Sequence, residues 1–288
     1  MGSMLEISPR TPWVDALHGY VRPYWNELLE GDWAEGVANT RLTIPEMQGW
    51  ILQMYPFIHA FPKFLAEALT KVEDDYSRGF LIDNIRVEKA HAEHWIWMGT
   101  GFGLDRQSMI DLAEGNQPIL RDVQSLSDWL WHVNTKGSLA EAVAATSFAI
   151  EGMAGDIAKK VVSGFEAYRG TPGVDMKPKT YKWFREHAVY DDQHPVIALE
   201  IVKKYAVTEK LQSKVMIASK RSVQLLHHAL MTSYQAYSVS DEVMGDVNSG
   251  EQYATQQRRN DRRNDVKATG FPERRFGERR GRACRNVA

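Results

Sequence analysis

The chain has 288 residues, 43% of them hydrophobic and 25% charged, which is enough apolar material for one large domain or two ordinary ones. Its one cysteine, Cys284, excludes an internal disulfide and fits a reducing compartment. The net charge of −2 hides an asymmetry: residues 251–288 hold 11 basic and 5 acidic side chains, so an acidic body carries a basic tail.

Helical periodicity runs through the chain, and no segment alternates as a strand would. Residues 1–10 read as a leader without the apolar core of a signal peptide. Thr11-Pro12 places a cap residue before a first-turn proline and starts a helix over 12–31. Thr43-Ile44-Pro45-Glu46 is a capping box opening a helix over 44–72, in which Pro56 and Pro62 should kink or interrupt the ladder. Further helices are expected over 74–103 and 120–134. Ser138-Leu139-Ala140-Glu141 is a second capping box, opening a helix over 138–168. Gly170-Thr171-Pro172-Gly173 is a turn, followed by helices over 178–206 and 208–245, with Pro195 inside the first. No apolar run reaches the roughly 18 residues that a membrane span requires. The expected architecture is therefore all-α: a single bundle of about seven helices over 11–246, followed by a basic tail over 247–288. That tail repeats Arg-Arg-Asn-Asp at 258–261 and 262–265, a polar pattern unable to bury enough surface to fold alone.

Three segments carry chemistry. Glu88 and His91 stand at i and i+3, so both lie on one helical face. Glu-x-x-His pairs of this kind aim two ligands at one metal cluster in di-iron carboxylate bundles. Glu151 is the one carboxylate of a small-residue, apolar helix, Ala142 to Gly152, where an isolated charge is costly unless paired, protonated or metal-bound. Gly152, Ala154 and Gly155 would let another helix come close. His187, Asp191 and His194 stand at i, i+4 and i+7, one stripe of a single helix. Three carboxylates and three imidazoles suffice for two metal ions with three protein ligands each, and this hard-oxygen and imidazole set suits Fe(II) or Mn(II). His94 is an alternative ligand or a support one turn beyond His91. His59, His227 and His228 read as packing or surface residues. Trp50, Trp95, Trp97, Trp129 and Trp131 divide between core and pocket wall.

The phrases Asn84-Ile85-Arg86-Val87-Glu88-x-x-His91, Ala144-Ala145-Thr146-x-x-Ala149-Ile150-Glu151-Gly152 and His187-Ala188-x-Tyr190-Asp191-Asp192-x-His194-Pro195 resemble those of the haem-oxygenase-like di-iron oxidases. The likeness is greatest to the fatty-acid decarboxylases that form 1-undecene, within a wider superfamily of TenA-like and PqqC-like proteins. It spans most of residues 12–240 and none of the tail. The resemblance implies a helical bundle around a central cavity, with Glu88, His91 and His187 on one Fe(II) and Glu151, Asp191 and His194 on the other. It implies dioxygen as co-substrate, no haem, and oxidative loss of carbon dioxide from a medium-chain fatty acid to leave a terminal alkene. The resemblance also implies a small amphipathic substrate; a homodimer is expected, the lone cysteine points to a cytoplasmic location, and the basic charge of the tail suggests an acidic partner. The Asp and Glu residues spaced through the tail argue against nucleic acid. Other readings are a non-catalytic ligand- or metal-binding protein, a haem oxygenase using His18, and a TenA-like enzyme needing no cofactor. The last requires a cysteine nucleophile in the bundle, whereas Cys284 lies in the tail.

Overall fold

The structure is a computed structural model that describes residues 11–189 and 194–238, all within one compact unit, Met1–Glu242. Asp191, Cys284, the leader and the tail from 247 lie outside the described residues. Among the described residues every element is helical, as expected. In chain order these are α1 (Pro12–Leu29), α2 (Asp32–Ala38), α3 (Ile44–Leu69), α4 (Asp75–Gly101), α5 (Arg106–Ala113), α6 (Arg121–Lys136), α7 (Leu139–Val143), α8 (Ala154–Glu166), α9 (Lys182–Val189), α10 (His194–Tyr205) and α11 (Glu209–Gln235). No described helix is long and apolar enough to cross a membrane.

Both capping boxes form. Glu46 Oε2 accepts from the Thr43 amide at 2.7 Å, and Glu141 Oε2 accepts from the Ser138 amide at 2.9 Å. Gly170 and Gly173 take φ of +87° and +82° in the expected turn, a left-handed backbone that glycine adopts without strain. α3 runs unbroken through Pro56 and Pro62. It packs along α4, and α11 lies against α1, α3 and α6, so the core forms between these long helices. Trp50, Phe64, Phe102, Phe148, Phe165 and Phe184 are its largest fully buried side chains.

Several boundaries differ from expectation. The first helix stops at Leu29, because Gly31 takes an extended conformation and caps the separate α2. α5 forms where no element was expected, started by Asp105 accepting from the Ser108 amide at 2.8 Å. Of the expected helix over 178–206 the described parts are α9 and α10, and residues 190–193 between them lie outside the described residues. α11 ends at Gln235 with Ala236 as its cap, short of the expected 245. The expected helix over 138–168 also has internal structure: α7 passes into a π turn at Ala144–Phe148 and a 3₁₀ turn at Glu151–Met153 before α8.

Candidate metal centre

α4 is started by Asp74, which accepts from the Ser77 amide at 3.0 Å. Along one of its faces Asn84, Glu88, His91 and His94 are all buried. His91 Nδ1 lies 3.0 Å from Glu88 Oε1, so the Glu-x-x-His spacing does bring the two groups together.

Glu151 reaches the same place by a local distortion. A π turn adds one residue to the helical count and rotates the downstream residues by about 100° relative to a regular helix. The Ala149 amide bonds back five residues to the Ala144 carbonyl at 2.9 Å. Two side chains cover carbonyls of this irregular stretch: Ser219 Oγ donates to Ala144 at 3.3 Å and Trp25 Nε1 donates to Ala149 at 2.9 Å. Glu151 is buried, and Asn84 Nδ2 donates to both of its carboxylate oxygens, at 3.0 and 3.1 Å. Asn84 is thus a supporting residue that orients the carboxylate. The sequence phrase contained it without any sign of that role.

α9 supplies His187. Its Nδ1 lies 2.8 Å from the Trp183 carbonyl, which can only accept, so Nδ1 donates to it and, in the neutral ring, Nε2 carries the lone pair. Metal-ligating histidines are commonly fixed this way by a backbone carbonyl. The ring stacks on Trp183 at 3.9 Å between centroids and lies 4.5 Å from the His91 ring. His194, at the start of α10, places Nδ1 3.5 Å from Glu151 Oε2 and sets its ring edge-on to Phe80. Five of the six expected residues, Glu88, His91, Glu151, His187 and His194, therefore fall into one neighbourhood. Asp191 lies outside the described residues. The five do not all close to ligand spacing: among the described residues, the trio whose ligand atoms lie within 4.8 Å of one another is His91, His94 and Glu186.

The charges of this neighbourhood are mutually dependent. Burial acts most strongly on the Glu88 carboxyl and pushes its pKa up, but the His91, His187 and His194 imidazoles outweigh it and leave it below the ordinary value. Burial would lower His91, yet the Glu88 and Glu151 carboxylates outweigh that and raise it. Glu151 is raised by burial, with Glu88 repulsion adding to it, against the hydrogen bonds from His194 and Asn84. A group with a raised pKa stabilises the fold below its unfolded value and loses that contribution as pH rises through its folded value. Ionised Glu151 therefore destabilises the metal-free fold at neutral pH. Glu151→Gln should raise the melting temperature of the metal-free protein at pH 8, with the gain fading as pH falls into the ordinary carboxyl range. The same substitution should reduce the stabilisation that added Fe(II) confers. Calorimetry with and without chelator reads both effects, and a lower metal-free melting temperature in the variant would refute the assignment of an unfavourable charge to Glu151.

A cavity of about 80 Å³ opens beside these groups. Glu88, Glu151 and His187 are the ionisable members of its wall, which is otherwise aromatic and aliphatic. Trp33, Trp50, Trp95 and Trp183 form one side, with successive ring centroids 5.0 to 5.5 Å apart from Trp33 through Trp50 to Trp95 and on to Trp183. Of the tryptophans expected to line a pocket, Trp50 and Trp95 do so. Trp129 instead bonds Ser222, and Trp131 packs edge-on against Phe64. Trp33 and Trp183 carried no period or motif that marked them out. His18 packs on Trp25 and Phe148 and is not part of the cavity wall.

Buried carboxylates and imidazoles at the polar end of an apolar cavity, inside an all-helical bundle, define a protein with a donor set fitted to a first-row divalent metal. The chain belongs to the haem-oxygenase-like family of iron-containing redox enzymes, whose profile matches residues 48–227. It is similar to the 4-aminobenzoate synthase of Chlamydia muridarum, at 25% identity over 199 residues, 68% of this chain and 78% of that protein. The 4-aminobenzoate synthase of Chlamydia trachomatis is 26% identical over 166 residues, which cover 56% of this chain and 66% of the relative. Among solved structures, a TenA homologue from Pseudomonas syringae pv. tomato aligns with a TM-score of 0.71 and 26% identity, covering 82% of this chain and 98% of that one. A Shewanella denitrificans domain of unknown function with a haem-oxygenase-like fold aligns at 0.65 and 16% identity, covering 85% of this chain and all of that one, and supports the fold alone.

Proposed function

We propose that the protein is a non-haem di-iron, dioxygen-dependent oxidase acting on a small amphipathic carboxylate, with oxidative decarboxylation of a medium-chain fatty acid as the first reaction to test. Glu88, His91 and His187 would hold one iron, and Glu151, Asp191 and His194 the other. The observation that carries this reading is the cavity wall, apolar throughout except for Glu88, Glu151 and His187. A carboxylate substrate would meet the metals at that end and lay its apolar part against the tryptophans and Met54 and Met153, whose unbranched chains adapt to different tails. Bound iron would supply the reduction of dioxygen. The protein's own part is to hold the substrate, keep water from it, and fix His187 through the Trp183 carbonyl and Glu151 through Asn84. In the decarboxylation one β C–H bond and the bond to the carboxyl carbon break, a terminal C=C bond forms, and dioxygen accepts two electrons and two protons.

The similarity to 4-aminobenzoate synthases favours a second reading, in which the aromatic wall serves an aromatic carboxylate. One experiment separates the two. The full chain is titrated anaerobically with Fe(II), then given oxygen with and without dodecanoate. Oxygen uptake, headspace gas and soluble aromatic acids are measured. Two irons per chain and a terminal alkene support the decarboxylase. Two irons and iron-dependent oxygen uptake without an alkene move the protein to the second reading. No iron binding overturns both.

A further inference from the structure

We infer that His91, His94 and Glu186 form a divalent-metal site of their own on the solvent side of the Glu88–His187 cluster. This site goes beyond the di-iron reading, sharing only His91 with it. The histidines stand at i and i+3 on α4 and the carboxylate precedes His187 on α9, so two packed helices supply the set. Their ligand atoms all lie within 4.8 Å of one another. Two atoms bound to one ion at about 2.1 Å are at most about 4.2 Å apart, so a shift of some tenths of an ångström closes the site.

The second observation is the state of His94. Its side chain is 7% exposed, and its Nδ1 lies 3.1 Å from Glu186 Oε2 yet is buried without a hydrogen bond. A nitrogen and a carboxylate oxygen that approach this closely without donating to each other are placed as two ligands are when their lone pairs converge on a third centre. Such a buried nitrogen is costly unless something meets it. The other carboxylate oxygen, Oε1, lies 3.4 Å from Lys182 Nζ, which rests over the Trp97 ring and leaves Oε2 turned inward. The Trp97 ring packs against His94 at 5.0 Å between centroids and helps hold it in place. Two imidazoles and one carboxylate are the donor set that binds first-row divalent ions while leaving coordination positions open. At 30% exposure Glu186 is reachable from solvent, whereas Glu88 and Glu151 are buried.

Cobalt(II) binding to the full chain tests this. With Glu88→Gln and Glu151→Gln together disabling the inner cluster, the protein should still bind one Co(II) by equilibrium dialysis, with visible d–d absorbance. Adding His94→Ala or Glu186→Gln should weaken that binding at least about tenfold. An unchanged affinity on either addition, or no cobalt bound by the double variant, overturns the site. Should the multiple variants fail to fold, cobalt-soaked crystals of the unsubstituted chain provide the check: an anomalous peak between His94 and Glu186 supports the site, and its absence there overturns it. Two irons bound without a His94-dependent cobalt would sink this site and leave the di-iron reading standing. The reverse result would sink the di-iron reading alone.

Discussion

His187→Ala is expected to abolish iron-dependent oxygen consumption, lowering it by more than about 100-fold, and Glu88→Ala is expected to do the same. Residues that merely orient metal ligands cost about 10–100-fold when removed, so removal of a ligand should exceed that range. His187 is the sharper case, because its Nδ1 is committed to the Trp183 carbonyl and only Nε2 can serve a metal. Loss of the ring also removes the stack on Trp183, so folding must be read alongside activity. Equilibrium dialysis should show about one iron fewer per chain in either variant, with helical content unchanged by circular dichroism. Full oxygen consumption in His187→Ala would remove this residue from the centre and require a different ligand set.

Gly164→Ala is expected to destabilise the fold by about 3 kcal/mol and to lower the melting temperature by about 6–12 °C. By helix propensity alone, alanine in a helix interior is better than glycine by about 0.5–1 kcal/mol, so the expected sign is the reverse of the intrinsic one. The reason is the approach of α2: a Cβ on Gly164 would lie 2.2 Å from the Val37 carbonyl oxygen and 2.3 Å from that of Ala38. These are backbone atoms, so the helices must separate. That close approach is held by Thr40 Oγ1 donating to the Gly164 carbonyl at 3.1 Å and by the Lys160–Glu35 ion pair. The cavity depends on it too, because α2 carries Trp33 and α8 carries Ile157, both wall residues. Gly19→Ala is the control. Gly19 lies in α1 with nothing within 4 Å of a built Cβ, and the substitution should stabilise by the ordinary propensity difference. Equal effects at both positions, measured by thermal melts, would mean that α2 does not lie closely against α8.

Much of the architecture comes from short-range chemistry. Thr43 with Glu46 and Ser138 with Glu141 start their helices by bonds confined to four residues, so the sequence by itself determines where those helices begin. Glu88 and His91 meet because both are on one turn of a regular helix, a relation that needs no tertiary information. The period also made the all-helical class plain. Short helices were not legible: α2 and α5 span less than the window over which periodicity accumulates.

Only the tertiary structure decided the rest. His187 and His194 come near the Glu88 cluster from α9 and α10, a meeting that no spacing along the chain shows. Glu151 turns inward after a π turn, and Ser219 and Trp25, residues distant in sequence, donate to the Ala144 and Ala149 carbonyls of that stretch. Asn84, Trp183 and Glu186 acquire their places from the side chains packed against them, since an amide, an indole and a carboxylate on amphipathic helices look alike whether they face a metal or water. Local hydrogen bonds repeat with the helical period and can be read along the chain. Convergence of side chains from α4, the 3₁₀ turn before α8, α9 and α10 depends on how these elements pack, and no spacing within one segment encodes it.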